Sequence, residues 1–279
     1  MNGWQRLAGP FGARCVTPNA ADLSAADILN ALNRYQLLVF PDQALDLAGF
    51  EQLAGRLGEL DRYPFAAPLA ESEFVVPVVK DRHEQHNFGG DWHTDTSYLE
   101  CPPAITLLLA RELPDAGGDT LFADMYGAYS GLSAGFKVFL QQLQGINSSS
   151  LVHDPAGAHA GVSGDRSSLE VAQSSARHPV IRLHPVTGKP ALYVSLVHTE
   201  RFAGMTRAES LPLLEFLQQR ATCAENCVRL QWQPGTLAIW DNRCLQHLPL
   251  NDYPGQRRAM LRIILRGERP QAFTSDRNG

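Results

Sequence analysis

In "WHTDTSY", Trp92–Tyr98, a histidine and an aspartate stand two residues apart among hydroxyl-bearing and aromatic neighbours. Side chains on a strand alternate, so a strand here would turn His93 and Asp95 to one side. Two titratable groups on one face are hydrated, paired with each other, or bound to something. His247, in "TLAIWDNRCLQHLPLNDY", stands just past a strongly β-patterned run. Strands distant in sequence meet in a sandwich, so it could complete a set of two imidazoles and one carboxylate. Such a facial triad suits ferrous iron and leaves coordination positions open. A local His–Asp pair and a loop histidine are the plainer alternative.

A second pattern lies in "QRRAMLRIIL". On a strand, Arg258, Met260, Arg262 and Ile264 share one face and Ala259, Leu261, Ile263 and Leu265 the other. The arginines either line a solvent face or turn inward, each towards an anion. A fixed guanidinium grips a carboxylate with two parallel hydrogen bonds. Thr120, which opens a strand after the Gly-Gly of "AGGDTLFA", could add a hydroxyl to the same carboxylate.

Positioning these residues takes many short strands: "ITLLL", "DTLFA", "VIRLH", "ALYVS", "VRLQW", "TLAIW" and "RAMLRIIL". "HPVTGKP" reads as a hairpin loop. Helices are few. Ser24 caps one over "SAADILNALNRY", "LAGFEQLAGRLGEL" is amphipathic, and "LLEFLQQRA" follows with Pro212 expected in its first turn. This pattern predicts a mainly β fold with flanking helices, a sandwich or jelly roll. The 279 residues suit one large β domain. No inter-domain linker is apparent, so 1–279 is read as a single domain. Ser148–Pro179, rich in Ser, Ala and Gly, reads as a functional lid.

Composition narrows the function. Hydrophobic residues make up 44% and charged ones 19%, as in a soluble globular protein. The net charge of −5 argues against nucleic acid, and no apolar run reaches the roughly 20 residues of a membrane helix. Five scattered cysteines and no leader pattern point to the cytoplasm. Cys223 and Cys227 form a C-x-x-x-C with no second pair, which favours ordinary packing over a closed zinc site.

Together "WHTDTSY", "GGDTLF", "WDNRCLQH" and "QRRAMLR" closely resemble, in the same order from about Leu23 to Arg269, the taurine dioxygenase and 2,4-dichlorophenoxyacetate dioxygenase (TauD/TfdA) family. The resemblance implies a double-stranded β-helix and an Fe(II)- and 2-oxoglutarate-dependent oxygenase that consumes O2 and releases succinate and CO2. It implies His93, Asp95 and His247 as iron ligands, and Arg258 with Thr120 on the distal carboxylate of 2-oxoglutarate. Arg262 would hold the anionic group of a small sulfonate, sulfate ester or carboxylate substrate. Tyr63, Gly89, Thr96 and His198 align with the substrate pocket, as does Ala66. Small residues at 66 and 89 and a threonine at 96 depart from the taurine enzyme and point away from taurine itself. A homodimer or homotetramer is implied as well. Desaturation, an amino-acid-like substrate, a zinc hydrolase and a non-catalytic jelly-roll binding protein are the other readings. The intact ligand set and the placement of Thr120 and Arg258 for a dicarboxylate weigh against the last two.

Overall fold

The apolar runs of the sequence become strands buried on both faces. In the computed structural model, which describes residues 3–16, 19–87, 89–153 and 174–274, eight strands frame the site. They are β1 (Leu37–Phe40), β2 (Val76–Lys80), β3 (Ile105–Glu112), β4 (Thr120–Asp124), β5 (Cys227–Leu230), β6 (Leu237–Asp241), β7 (Leu245–Pro249) and β8 (Arg258–Leu265). In the larger sheet β1, β6, β3 and β8 lie side by side, and β2 pairs with the far edge of β8. Trp4–Arg6, Ala13–Cys15 and Leu60–Asp61 extend this sheet. The smaller sheet runs β5-β4-β7 and faces it. Together they make the jelly roll expected from the strand pattern, with helices outside.

Parity along each strand sorts the side chains into two cores. Leu37, Val39, Leu108, Ala110, Ala238, Trp240 and Met260 face the smaller sheet and pack with its Phe122, Val228 and Leu245. Their neighbours Leu38, Phe40, Leu107, Leu109, Ile239 and Ile263 face outwards. There they meet Ile28, Leu32, Phe50 and Leu53 from two helices, α1 (Ala25–Tyr35) and α2 (Leu47–Leu57). This double burial explains why "LLVF" and "ITLLLA" carry almost no polar alternation. The Ser24 hydroxyl caps α1 by accepting from Asp27 N at 3.1 Å. The "HPVTGKP" hairpin forms as expected, with Leu183 opposite Pro190.

Two expectations need correction. The third long helix, α3 (Arg207–Ala221), begins at a Thr206–Glu209 capping box, so Pro212 lies beyond its first turn. The reciprocal cap sets the start, and the helix accepts a proline that removes one internal hydrogen bond. The two ends of the segment read as a lid meet where Gln144–Ser148 pairs with Ser175–Pro179. Its interior, 154–173, lies outside the described residues. The stretch around His93 is also not a strand. Among the described residues, no helix is long and apolar enough to cross a membrane.

Candidate active site

His93 takes part in an isolated bridge, and Asp95 stands in the turn that follows. The bridge is to His247: His93 N donates to His247 O at 3.1 Å and His247 N to His93 O at 2.8 Å. Backbone pairing therefore sets the two imidazoles side by side, with ring centroids 4.2 Å apart. Next to Asp95, Thr96 adopts φ 37°, a left-handed conformation that threonine rarely takes and that marks a site held by its surroundings. The chain thus turns sharply at Asp95 rather than running on as a strand. One ligand atom from each of His93, Asp95 and His247 lies within 4.8 Å of the others, and all three residues are buried.

The hydrogen bonds fix how each group faces the cluster. His93 Nδ1 donates to Asp91 O at 2.7 Å, which leaves Nε2, 3.8 Å from Asp95 Oδ1, as a lone-pair donor. Burial, with the nearby His93 and Arg262, lowers the His247 pKa to about 3 against the pull of Asp95. His247 is therefore neutral at physiological pH, the form that binds a metal. Burial opposes the charge on Asp95. The neighbouring His247 imidazole, the Arg262 guanidinium, His93 and the Thr106 hydroxyl still hold its carboxyl below the usual range.

The arginine face of β8 points inward. Arg258 and Arg262 are each only 5% exposed, which settles against the solvent alternative for that strand face. Both line a cavity shared with His93, Asp95, His247 and Thr120. Arg258 Nε donates to Gly118 O at 3.1 Å, while its Nη2 is buried with no hydrogen-bond partner. Gly118 sits at φ 71°, and a Cβ there would lie 3.3 Å from Arg258 Cδ. The Gly-Gly turn thus both bends the chain into Thr120 and admits the guanidinium. Arg262 Nη1 lies 3.9 Å from Asp95 Oδ1, and its guanidinium covers the Tyr63 ring at 3.9 Å.

The sequence profile of the "Taurine catabolism dioxygenase TauD, TfdA family" matches residues 5–264. The chain belongs to the TauD/TfdA family. It is 34% identical over 257 residues to a Schizosaccharomyces pombe protein provisionally named an alpha-ketoglutarate-dependent sulfonate dioxygenase. That match covers 86% of this chain and 63% of the relative, so the chain spans under two thirds of that protein's length. It is 30% identical to the alpha-ketoglutarate-dependent sulfate ester dioxygenase of Pseudomonas putida, over 95% of this chain and 89% of that one. Among solved structures, AAD-2 in complex with Mn(II) and N-oxalylglycine superposes with a TM-score of 0.79 at 25% identity, covering 96% of this chain and 98% of that one.

Within this TauD/TfdA chain the substrate-side residues divide. Arg262 lines the cavity, with Tyr63 stacked beneath it. His198 stands 5.9 Å from the His93 ring, and its Nδ1 is 2.9 Å from Ser97 Oγ. The Thr96 hydroxyl oxygen is buried without a partner. Gly89 has φ 74°, and a Cβ on it would fall 2.7 Å from His93 Cε1. The imidazole occupies the space that a side chain at this position would need.

Four residues escaped the sequence reading as site residues. The Trp232 indole donates to Thr120 Oγ1 at 3.0 Å, and its ring lies 5.7 Å from the Arg258 guanidinium carbon. Thr106, Asn242 and Trp240 form a buried hydrogen-bond chain ending on Asp95. "WDNR" carried a trace of the last two, and a lone hydroxyl in "ITLLLA" marked Thr106. Nothing in "QWQPG" distinguished Trp232.

Proposed function

We propose that the chain is an Fe(II)- and 2-oxoglutarate-dependent dioxygenase that oxidises a small organic sulfonate or sulfate ester, with succinate and CO2 as co-products. Arg258 carries this reading most directly. It is a buried guanidinium with an unpartnered nitrogen, at a cavity whose other wall bears two imidazoles and a carboxylate. A buried cation in that state calls for an anion. A dicarboxylate reaching from the triad to Arg258 and Thr120 would supply it.

The donor set fits a borderline divalent metal such as iron, because it offers two imidazole nitrogens, one carboxylate and no thiolate. When bound, that metal would activate O2 for oxidation of a C–H bond. The chain's own residues supply position. His93 is held in one tautomer by Asp91, and Thr120 donates towards the distal carboxylate while Trp232 occupies one of its lone pairs. Arg262 orients the substrate anion, and the apolar walls formed by Val78, Leu108 and Trp240 exclude water. The names borne by the fission-yeast and Pseudomonas relatives support sulfur oxyanions as the substrate class.

Succinate formation by the purified chain with Fe(II), 2-oxoglutarate and a panel of alkyl sulfonates, alkyl sulfate esters and aryloxyalkanoates tests this. A sulfonate or sulfate ester should stimulate release well above the substrate-free rate. Arg262→Ala should raise the KM for that compound while leaving the KM for 2-oxoglutarate nearly unchanged. Arg258→Ala should do the reverse, at a cost of about 2–5 kcal/mol in co-substrate binding. Stimulation by aryloxyalkanoates alone would overturn the substrate class. No succinate under any condition would overturn the activity.

A further inference from the structure

We infer that Thr106 and Asn242 are positioning residues for the metal site: a one-way hydrogen-bond chain from Trp240 locks Asp95 so that only its Oδ1 is offered to a metal. The inference rests on the reading of Asp95 as a metal ligand. Thr106 Oγ1 donates to Asp95 Oδ2 at 2.6 Å. Asn242 Nδ2 donates to Thr106 Oγ1 at 2.8 Å, and the Trp240 indole donates to Asn242 Oδ1 at 2.9 Å. Thr106, Asn242 and Trp240 are at most 2% exposed, so water does not compete along the chain.

The direction of this chain is forced. An indole N–H can only donate, so the atom of Asn242 facing it must be the carbonyl oxygen. The amide nitrogen then faces Thr106 and occupies a lone pair of its oxygen. A hydroxyl has a single proton, which is left to go to Asp95 Oδ2. The other Asp95 oxygen, Oδ1, faces His93 Nε2 at 3.8 Å and Arg262 Nη1 at 3.9 Å. A carboxylate with one oxygen held in this way cannot swing to offer both, and single-point ligation keeps more metal positions open to other molecules.

The architecture brings the parts together. Thr106 on β3 and Trp240 on β6 are direct partners in the sheet register. Asn242 follows β6 immediately, and its backbone N donates to Ala104 O at 2.9 Å. The rigid larger sheet therefore holds the clamp, while Asp95 itself sits in a turn. A ligand placed on a loop borrows its orientation from two strands.

The test is Mn(II) affinity of the purified full chain without co-substrate, read by the loss of the free-ion EPR signal, alongside the thermal midpoint of each variant. Thr106→Val should weaken Mn(II) about 10–100-fold, the range usual for losing an outer hydrogen bond to a ligand. Thr106→Ser keeps the hydroxyl and should stay within about threefold of wild type. Asn242→Leu leaves the hydroxyl free to rotate and should fall between the two. Asp95→Ala separates the two levels of the argument. If it binds Mn(II) as wild type does, the ligand reading itself fails. If Asp95→Ala loses binding while Thr106→Val and Asn242→Leu match wild type, the clamp alone fails. A fall in thermal midpoint shared by the Val and Ser variants, with equal affinities, likewise overturns it, because a purely structural role predicts that pattern. Should Thr106→Val not fold, the comparison of Asn242→Leu with wild type decides.

Discussion

Among the described residues, two buried clusters each bring together three side chains able to ligate a metal, and they differ in what they leave unspent. One is His93, Asp95 and His247; the other is His184, Asp241 and Cys244, equally buried and equally close. In the second, Arg243 donates to both oxygens of Asp241, at 2.8 and 2.7 Å, and His184 Nε2 donates to Oδ2 at 3.0 Å. His184 Nδ1 accepts from Val186 N and Thr187 N. Burial raises the Cys244 thiol well above its usual pKa, aided by Asp241 and Asp124, which keeps it protonated. Each donor and acceptor is committed to protein. In the first cluster His247 Nδ1 and, across the cavity, Arg258 Nη2 have no hydrogen-bond partner. Chemical identity nominates both clusters, but unsatisfied valence beside a cavity singles out one.

Substituting one histidine in each cluster tests that contrast with the largest effect. His93→Ala should reduce Mn(II) affinity beyond the roughly 10–100-fold range of outer-shell changes. His184→Ala should leave it near wild type while lowering the thermal midpoint. Equal losses of affinity from the two variants would erase the distinction between the clusters.

The sequence made the first cluster legible because its chemistry is local to short motifs. His93 and Asp95 are two residues apart, and the Arg258/Arg262 parity follows from strand alternation alone. The strands were legible for the same reason, since β-branched and aliphatic runs between turn residues admit few alternatives. The Asp241 cluster and the Asp95 clamp were not. Asp241 meets His184 57 positions away, and Thr106 meets Asn242 136 positions away. Such contacts depend on sheet register, which periodicity does not encode. His93 was misplaced on a strand for a related reason. A long-range bridge to His247 and the left-handed Thr96 overrode the local alternation.

The saturated cluster should show itself in stability and in acid. Asp241→Asn leaves the buried Arg243 without its counter-charge and should cost about 3–5 kcal/mol. Burial works against the Asp241 charge, but hydrogen bonds from Arg243 and His184 outweigh it and hold the carboxyl well below 3.8. A depressed carboxylate pKa stabilises the fold fully above the unfolded value and loses that contribution as pH falls through the folded one. In urea denaturation the gap between wild type and Asp241→Asn should hold steady from about pH 5 to 8 and narrow below about pH 4. A gap that widens in acid would contradict this sign. Mn(II) affinity of the folded variant should change little, again unlike His93→Ala.

The smallest effect sharpens the comparison most finely, because it concerns a proton direction at the unsaturated site. The Trp232 indole donates to Thr120 Oγ1 at 3.0 Å, so the hydroxyl proton is free to point into the cavity. In Trp232→Phe the hydroxyl gains a second orientation, and a neutral hydrogen bond is worth about 0.5–1.5 kcal/mol. At 1.4 kcal/mol per factor of ten, the KM for 2-oxoglutarate should rise about two- to tenfold. The substrate KM and the rate at saturating 2-oxoglutarate should hold, because Arg262 and the triad are untouched. On a Thr120→Val background the same substitution should add nothing, since no hydroxyl remains to direct. An undiminished effect on that background would assign Trp232 a packing role under Arg258 instead.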